Sequence, residues 1–145
     1  MKQSNFTYVI KQLELALRPY IDGACAAAGM TTAQYTALTV LDRRPGITSS
    51  ELARRSFVRA QTMAQTMDPM LEEGLVRREQ DPQHARRLLL FLTDKGRAAM
   101  AEAEPRVREL EKLLMSDFTE EEGEAFADYL RRARRTLEAG HPVRS

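Results

Sequence analysis

In the stretch RAQTMAQTMDPMLEEG, Gln61, Thr62, Gln65 and Thr66 are interleaved with Met63, Met67, Met70 and Leu71. At helical spacing the methionines and Leu71 share one face, and the amides and hydroxyls look elsewhere. The apolar face reads as core packing. The other face is unusual, because a merely solvated helix surface favours Glu and Lys. A glutamine amide can pair bidentately with adenine, a threonine can donate to a base or touch a thymine methyl, and an arginine such as Arg59 takes guanine or phosphate. Side chains of these types suit the edges of DNA bases.

A second group of candidates follows in VRREQDPQHARRLLLFLT. Val76–Gln80 and Leu88–Leu92 read as strands, and the alternation of Leu88, Leu90 and Leu92 with Leu89 and Phe91 predicts that both strand faces are at least partly covered. The intervening polar loop, five or more residues long, must project into solvent. It carries His84, Arg86 and Arg87. Arginines on a protruding hairpin suit a narrow, electronegative minor groove, where they read shape more than base identity. By spacing alone they suit a solvated surface pair equally well, and the neighbouring elements decide for DNA.

Those elements are helical. Phe6, Val9, Ile10, Leu13, Leu17, Tyr20, Ile21 and Ala24 recur at steps of three and four, which predicts an amphipathic first helix kinked at Pro19 and ended by Gly29. A second helix starts at Thr31 or Thr32 and closes before Pro45-Gly46. Thr48 and Glu51 have capping-box spacing for a short third helix ending near Ser56. That helix, a tight turn and the Gln/Thr-bearing helix make a helix-turn-helix pattern whose second helix enters the major groove. Gly74 stops it. Thr93 starts another helix, with Met100, Ala103, Val107, Leu110 and Leu114 in a heptad-like seam interrupted at Pro105. A capping box of Thr119 with Glu122 opens the last helix, with Phe126, Leu130, Ala133 and Leu137 on one stripe, and the tail AGHPVRS is expected to fray.

Composition narrows the function. The chain has 145 residues, 43% hydrophobic and 30% charged, as expected of a globular single domain. No apolar run approaches the roughly 20 residues of a membrane span, and MKQSNFTYVIKQLEL lacks a secretory block, so a cytoplasmic protein is expected. The net charge is only +1, but its distribution is uneven: residues 43–97 hold 11 Lys and Arg against 7 Asp and Glu, and the remainder holds 11 against 14. A basic centre between acidic flanks fits a nucleic-acid partner. Neither His84 nor His141 has ligands at metal spacing, and the sequence has no phosphate loop and no nucleophile elbow. No enzyme, metal or cofactor is expected. TEEEGE reads as helix N-terminal charge.

In order, these elements resemble the MarR family of bacterial transcription regulators over essentially the whole chain. LEEGLVRREQDPQHARRLLLFLTDKG is similar to the family's wing signature, and GMTTAQYTAL to the opening of its second helix. The resemblance implies a mainly α fold with a small β wing: a winged helix-turn-helix lobe over residues 32–97, flanked by dimerisation helices at 4–29 and 98–138, all in one unit of residues 1–145. It implies a homodimer on double-stranded DNA, a repressor of a pseudo-palindromic operator. Gln61, Thr62 and Gln65 would contact bases, Arg78 holds the basic position after Gly-Leu-Val, and Arg86 matches the minor-groove arginine. Ser49, Arg59, Thr66 and Arg87 complete the DNA-binding candidates. A small phenolic or lipophilic ligand is also implied, with Tyr20, Met30 and Tyr35 as pocket residues, although core packing alone would explain them.

Two departures stand out. Where the family that the chain resembles commonly has Asp-Arg in the wing, this sequence has His84-Ala85, which removes an acid that often braces the wing against the recognition helix. Pro69 lies inside the recognition helix. Two other classes compete: a redox-sensing regulator using Cys25, the single thiol, in a run of small residues that suggests burial, and a helical interaction protein built on the seam of residues 100–114.

Overall fold

The computed structural model describes residues 5–140, in the order α1 (Phe6–Ala27), α2 (Thr32–Arg43), α3 (Ser49–Arg55), α4 (Ala60–Glu72), β1 (Val76–Asp81), β2 (His84–Leu92), α5 (Asp94–Leu114) and α6 (Glu120–Gly140). His141 and the rest of the tail lie outside the described residues.

Side-chain oxygens start five of these helices by accepting amides that have no partner in the first turn. Asn5 accepts from Tyr8 N at 3.1 Å, and Thr93 from Gly96 N at 3.0 Å. Thr31 with Gln34 and Thr119 with Glu122 form reciprocal capping boxes. The third expected box forms only by half. Thr48 accepts from Glu51 N at 3.2 Å, but the Glu51 carboxylate pairs with Arg54 and Arg55, its neighbours one turn on.

α1 and α4 end alike. Met30 N donates to Cys25 O at 3.0 Å over a left-handed Gly29, and Leu75 N to Met70 O at 2.9 Å over a left-handed Gly74. This is the Schellman arrangement, in which glycine adopts positive φ at no steric cost. In both, the residue after the glycine, Met30 or Leu75, is buried in the core.

The core joins α2, α3, α4, the hairpin and α5: Leu38, Leu41, Leu52, Met63, Met70 and Val76 are fully buried, with Ala103 of α5 among them. Met100 packs against the same cluster, while Val107, Leu110 and Leu114 are half-buried. The seam is thus largely used within the chain. On α6, by contrast, Phe126 is half-buried but Leu130 and Leu137 are 41% and 67% exposed.

The hairpin is antiparallel from Val76↔Leu92 to Gln80↔Leu88 and then slips, so that Asp81 pairs with His84. Its turn is only Pro82-Gln83, not the loop of five or more residues that polarity suggested. Ala85, Arg86 and Arg87 form a bulge on β2 instead. The covering of its faces is also uneven: Leu90 and Leu92 are buried, Leu89 and Phe91 half-buried, and Leu88 is 46% exposed. Ile47 bridges to Leu90, donor and acceptor lying 2.8 Å apart in the bond from Leu90 N to Ile47 O. At the hairpin's base Gly96 has no room for a side chain, since a Cβ there would lie 2.2 Å from Leu75 O.

Candidate nucleic-acid interface

α4 is positioned by its methionine face, with Met63, Met67 and Met70 at 3% exposure or less. Burying that face turns Gln61, Thr62 and Gln65 outward, all exposed, with Thr66 half-buried beside them. The Thr66 hydroxyl donates to Thr62 O at 2.9 Å, leaving it only as an acceptor for an outside group. Gln61, Thr62 and Gln65 make no side-chain hydrogen bond within the described residues and present their donors and acceptors to solvent. Arg59, the residue before α4, is exposed and caps nothing. Pro69 sits inside the helix without interrupting it. Ser49 is half-buried as the first residue of α3.

The wing is held by contacts that its sequence did not announce. Gln80 Nε2 donates to Ala85 O at 2.7 Å, and Asp81 Oδ1 accepts from Gln83 N at 2.9 Å. The other oxygen of Asp81, whose side chain is 14% exposed, lies 3.9 Å from Arg87 Nη1. These contacts tie both ends of the bulge. Arg86, between them, is exposed and makes no ion pair among the described residues. Arg78 is exposed on β1, while its neighbour Arg77 stacks over Phe91 at 4.6 Å and pairs with Glu79 at 2.8 Å.

The ligand candidates are not brought together. Met30 is 6% exposed in the core and Tyr35 packs against that core, whereas Tyr20 is 57% exposed on α1. Tyr20 lines an apolar cleft with Leu13, Leu17, Leu110, Leu113 and Leu114, about 230 Å³ in volume and without Met30 or Tyr35. Tyr20 lies on α1, Tyr35 on α2 and Met30 in the link between them. Burial pushes the Tyr35 hydroxyl above its ordinary pKa, helped by the charge of Glu104.

Cys25 is fully buried. Burial raises its thiol pKa, a hydrogen bond with Thr32 partly opposes this, and the charge of Asp22 adds to it. Such a thiol is largely protonated near neutral pH and is a poor nucleophile.

A two-helix reading unit followed by a β hairpin and framed by long helices is a winged helix-turn-helix architecture. A sequence profile of the MarR family matches residues 28–87. The HTH-type transcriptional repressor Rv2887 of Mycobacterium tuberculosis is 30% identical over 112 residues, 77% of this chain and 81% of its own length. The chain therefore belongs to the MarR family of transcription regulators. The crystal structure of Rv2887 in complex with DNA superposes with a TM-score of 0.74 at 26% identity, covering 90% of this chain and 98% of that one. A structure of Rv2887 with salicylic acid gives the same score at 27% identity, covering 91% and 98%. No helix among the described residues is long and apolar enough to cross a membrane.

Proposed function

We propose that this protein is a non-enzymatic, cytoplasmic transcription regulator that binds a pseudo-palindromic operator as a homodimer and represses from it. One observation carries the reading: the exposed amide and hydroxyl face of α4 lies on the same lobe as a basic wing tied to itself at both ends of its bulge. Gln61, Thr62 and Gln65 read bases in the major groove, and Arg86 enters the adjoining minor groove. Ser49, Arg59, Thr66, Arg78 and Arg87 fix register through the backbone. Residues 32–97 form the DNA-binding lobe. The helices within 4–29 and 98–138 pair two copies, a reading supported by the exposed Phe6, Ile10, Leu130 and Leu137.

Selection from a random duplex library with the purified protein tests this. A palindrome with half-sites about one helical turn apart is expected, and a pool no different from the input would refute the reading.

A small aromatic or lipophilic ligand in the Tyr20 cleft would set the distance between recognition helices. The leucines of that cleft support it, as does the salicylic acid complex of Rv2887. Only a ligand that prefers one spacing can act in this way. Calorimetry with salicylate on wild type and Tyr20→Ala tests it: equal heats from both would exclude the cleft.

A further inference from the structure

Helix α4 ends against its own electrostatics. It closes in Leu71-Glu72-Glu73-Gly74, with two carboxylates at the end where the helix dipole is already negative and no basic residue in its last turn. The Schellman turn over Gly74 occupies the carbonyls of Met70 and Leu71. It leaves those of Glu73, Gly74 and Leu75 to other partners.

All three are met from the first turn of α5. Lys95 Nζ donates to Glu73 O at 2.7 Å, the Thr93 hydroxyl to Gly74 O at 2.6 Å, and Thr93 N to Leu75 O at 3.1 Å. Lys95 thus supplies, from 22 residues further along, the cation that the end of α4 lacks. It is the single lysine among residues 32–97, where the other permanent cations are all arginine. A compact ammonium with three rotatable donors suits one carbonyl, whereas a guanidinium fork suits a pair of acceptors.

The need for such a tie lies on the buried side of α4, which packs through Met63, Met67 and Met70. Methionine is unbranched and adaptable, so it fills a core without defining one angle of approach. The helix has 13 residues, a length of about 20 Å at roughly 1.5 Å per residue. Gln61 and Thr62 lie at the end remote from Lys95, so a small rotation at the exit is magnified where bases are read.

We propose that Lys95 is a positioning residue for base reading: bonded to Glu73 O, it locks the exit of α4 to the first turn of α5. The lock fixes the angle at which Gln61, Thr62 and Gln65 meet the groove. Lys95 acts through α4 and touches no phosphate. Its positioning role rests on the DNA-binding reading; the lock itself does not.

Two measurements on the full-length protein take these steps in turn. Lys95 is exposed, and Lys95→Met keeps its stem while removing the ammonium. Without DNA, amide hydrogen exchange over residues 70–75 should be roughly fivefold or more faster in Lys95→Met than in wild type, the effect of losing one charge-assisted bond. Exchange in α2 should not change, and Lys95→Arg, which keeps the charge and a donor, should restore slow exchange. With DNA, Lys95→Met should weaken binding to a selected operator by roughly tenfold, with random-duplex affinity and salt slope unaltered. Unchanged exchange in Lys95→Met, or faster exchange throughout the chain, would overturn the lock. Undiminished operator binding, equal loss on both duplexes, or a slope lower by about one unit would overturn the positioning role, the last by making Lys95 a phosphate contact. A wild type that selects no operator would refute the DNA-binding reading and the positioning role with it, while the exchange result still decides the lock.

Discussion

Gln80 reaches across the wing to Ala85, its side-chain amide donating to that carbonyl at 2.7 Å, so one end of the bulge that presents Arg86 is fixed from the opposite strand. Gln80→Leu should remove this tie without removing a charge. Operator affinity should fall, by about 0.5–1.5 kcal/mol, the usual net value of one hydrogen bond. The slope of affinity against salt should stay unchanged, because no cation is lost. A changed slope in a fluorescence-anisotropy titration would show that Gln80 acts otherwise.

Arg86→Ala should flatten that slope by about one unit and weaken binding to all sequences. Arg87→Ala should have a smaller effect, because Arg87 is already turned toward Asp81 at 3.9 Å. Equal effects from the two variants would contradict the division of roles.

Gln61→Ala should lose discrimination at one base pair of each half-site, by about 1–3 kcal/mol, with little change on random DNA. Competition binding with singly substituted operators measures this. Equal loss on specific and random duplexes would make Gln61 a positioning contact only.

Gly96→Ala forces a methyl group toward Leu75 O and Leu92 Cδ1, at 2.2 and 2.6 Å from an ideal Cβ. The start of α5 must then move away from the hairpin, costing about 1–3 kcal/mol as overpacking does. A lower urea midpoint with unaltered m-value is the expected result, and an unchanged midpoint would show that the junction yields freely.

Cys25 and Tyr35 both have folded-state pKa values raised mainly by burial. For an acid the raised value means that the neutral form is favoured in the native state. This contribution to stability is complete below the unfolded-state pKa values and is lost as pH climbs through the folded ones. Stability should therefore fall on the alkaline side, and Cys25→Ser and Tyr35→Phe should each reduce the fall. Alkylation of native Cys25 should likewise stay slow at neutral pH. Rapid labelling by iodoacetamide would revive the redox-sensing alternative.

Much of the fold was legible because its signals are local. Thr31, Thr93 and Thr119 cap the helices that their spacing announced, and the buried methionines of α4 follow from period alone. What escaped depended on competition or on distance. Thr48 and Glu51 have the spacing of a capping box, but two arginines one turn away take the carboxylate. The polar side chains of His84, Arg86 and Arg87 suggest a loop, yet the backbone of His84 pairs with Asp81, and Ala85–Arg87 bulge from the strand. Gln80 carries no sequence signal for its role, because its partner is a carbonyl brought near only by the slipped register. That Tyr20 faces outward while Met30 is buried depends on how the elements pack together, which spacing along one helix does not encode.

The bridge between Ile47 and Leu90 ties the wing to the chain entering α3, with a second bond from Gly46 N to Leu90 O at 2.9 Å. The hairpin is thus bonded to the chain before α3 as well as to itself, and main-chain hydrogen bonds join the wing to the helix-turn-helix. On the proposed reading, in which α4 and the wing contact one half-site, the footprint of each half-site is set as a fixed gauge. A regulator built this way can vary the gap between its two gauges, but it cannot stretch either one without breaking the bonds at Leu90.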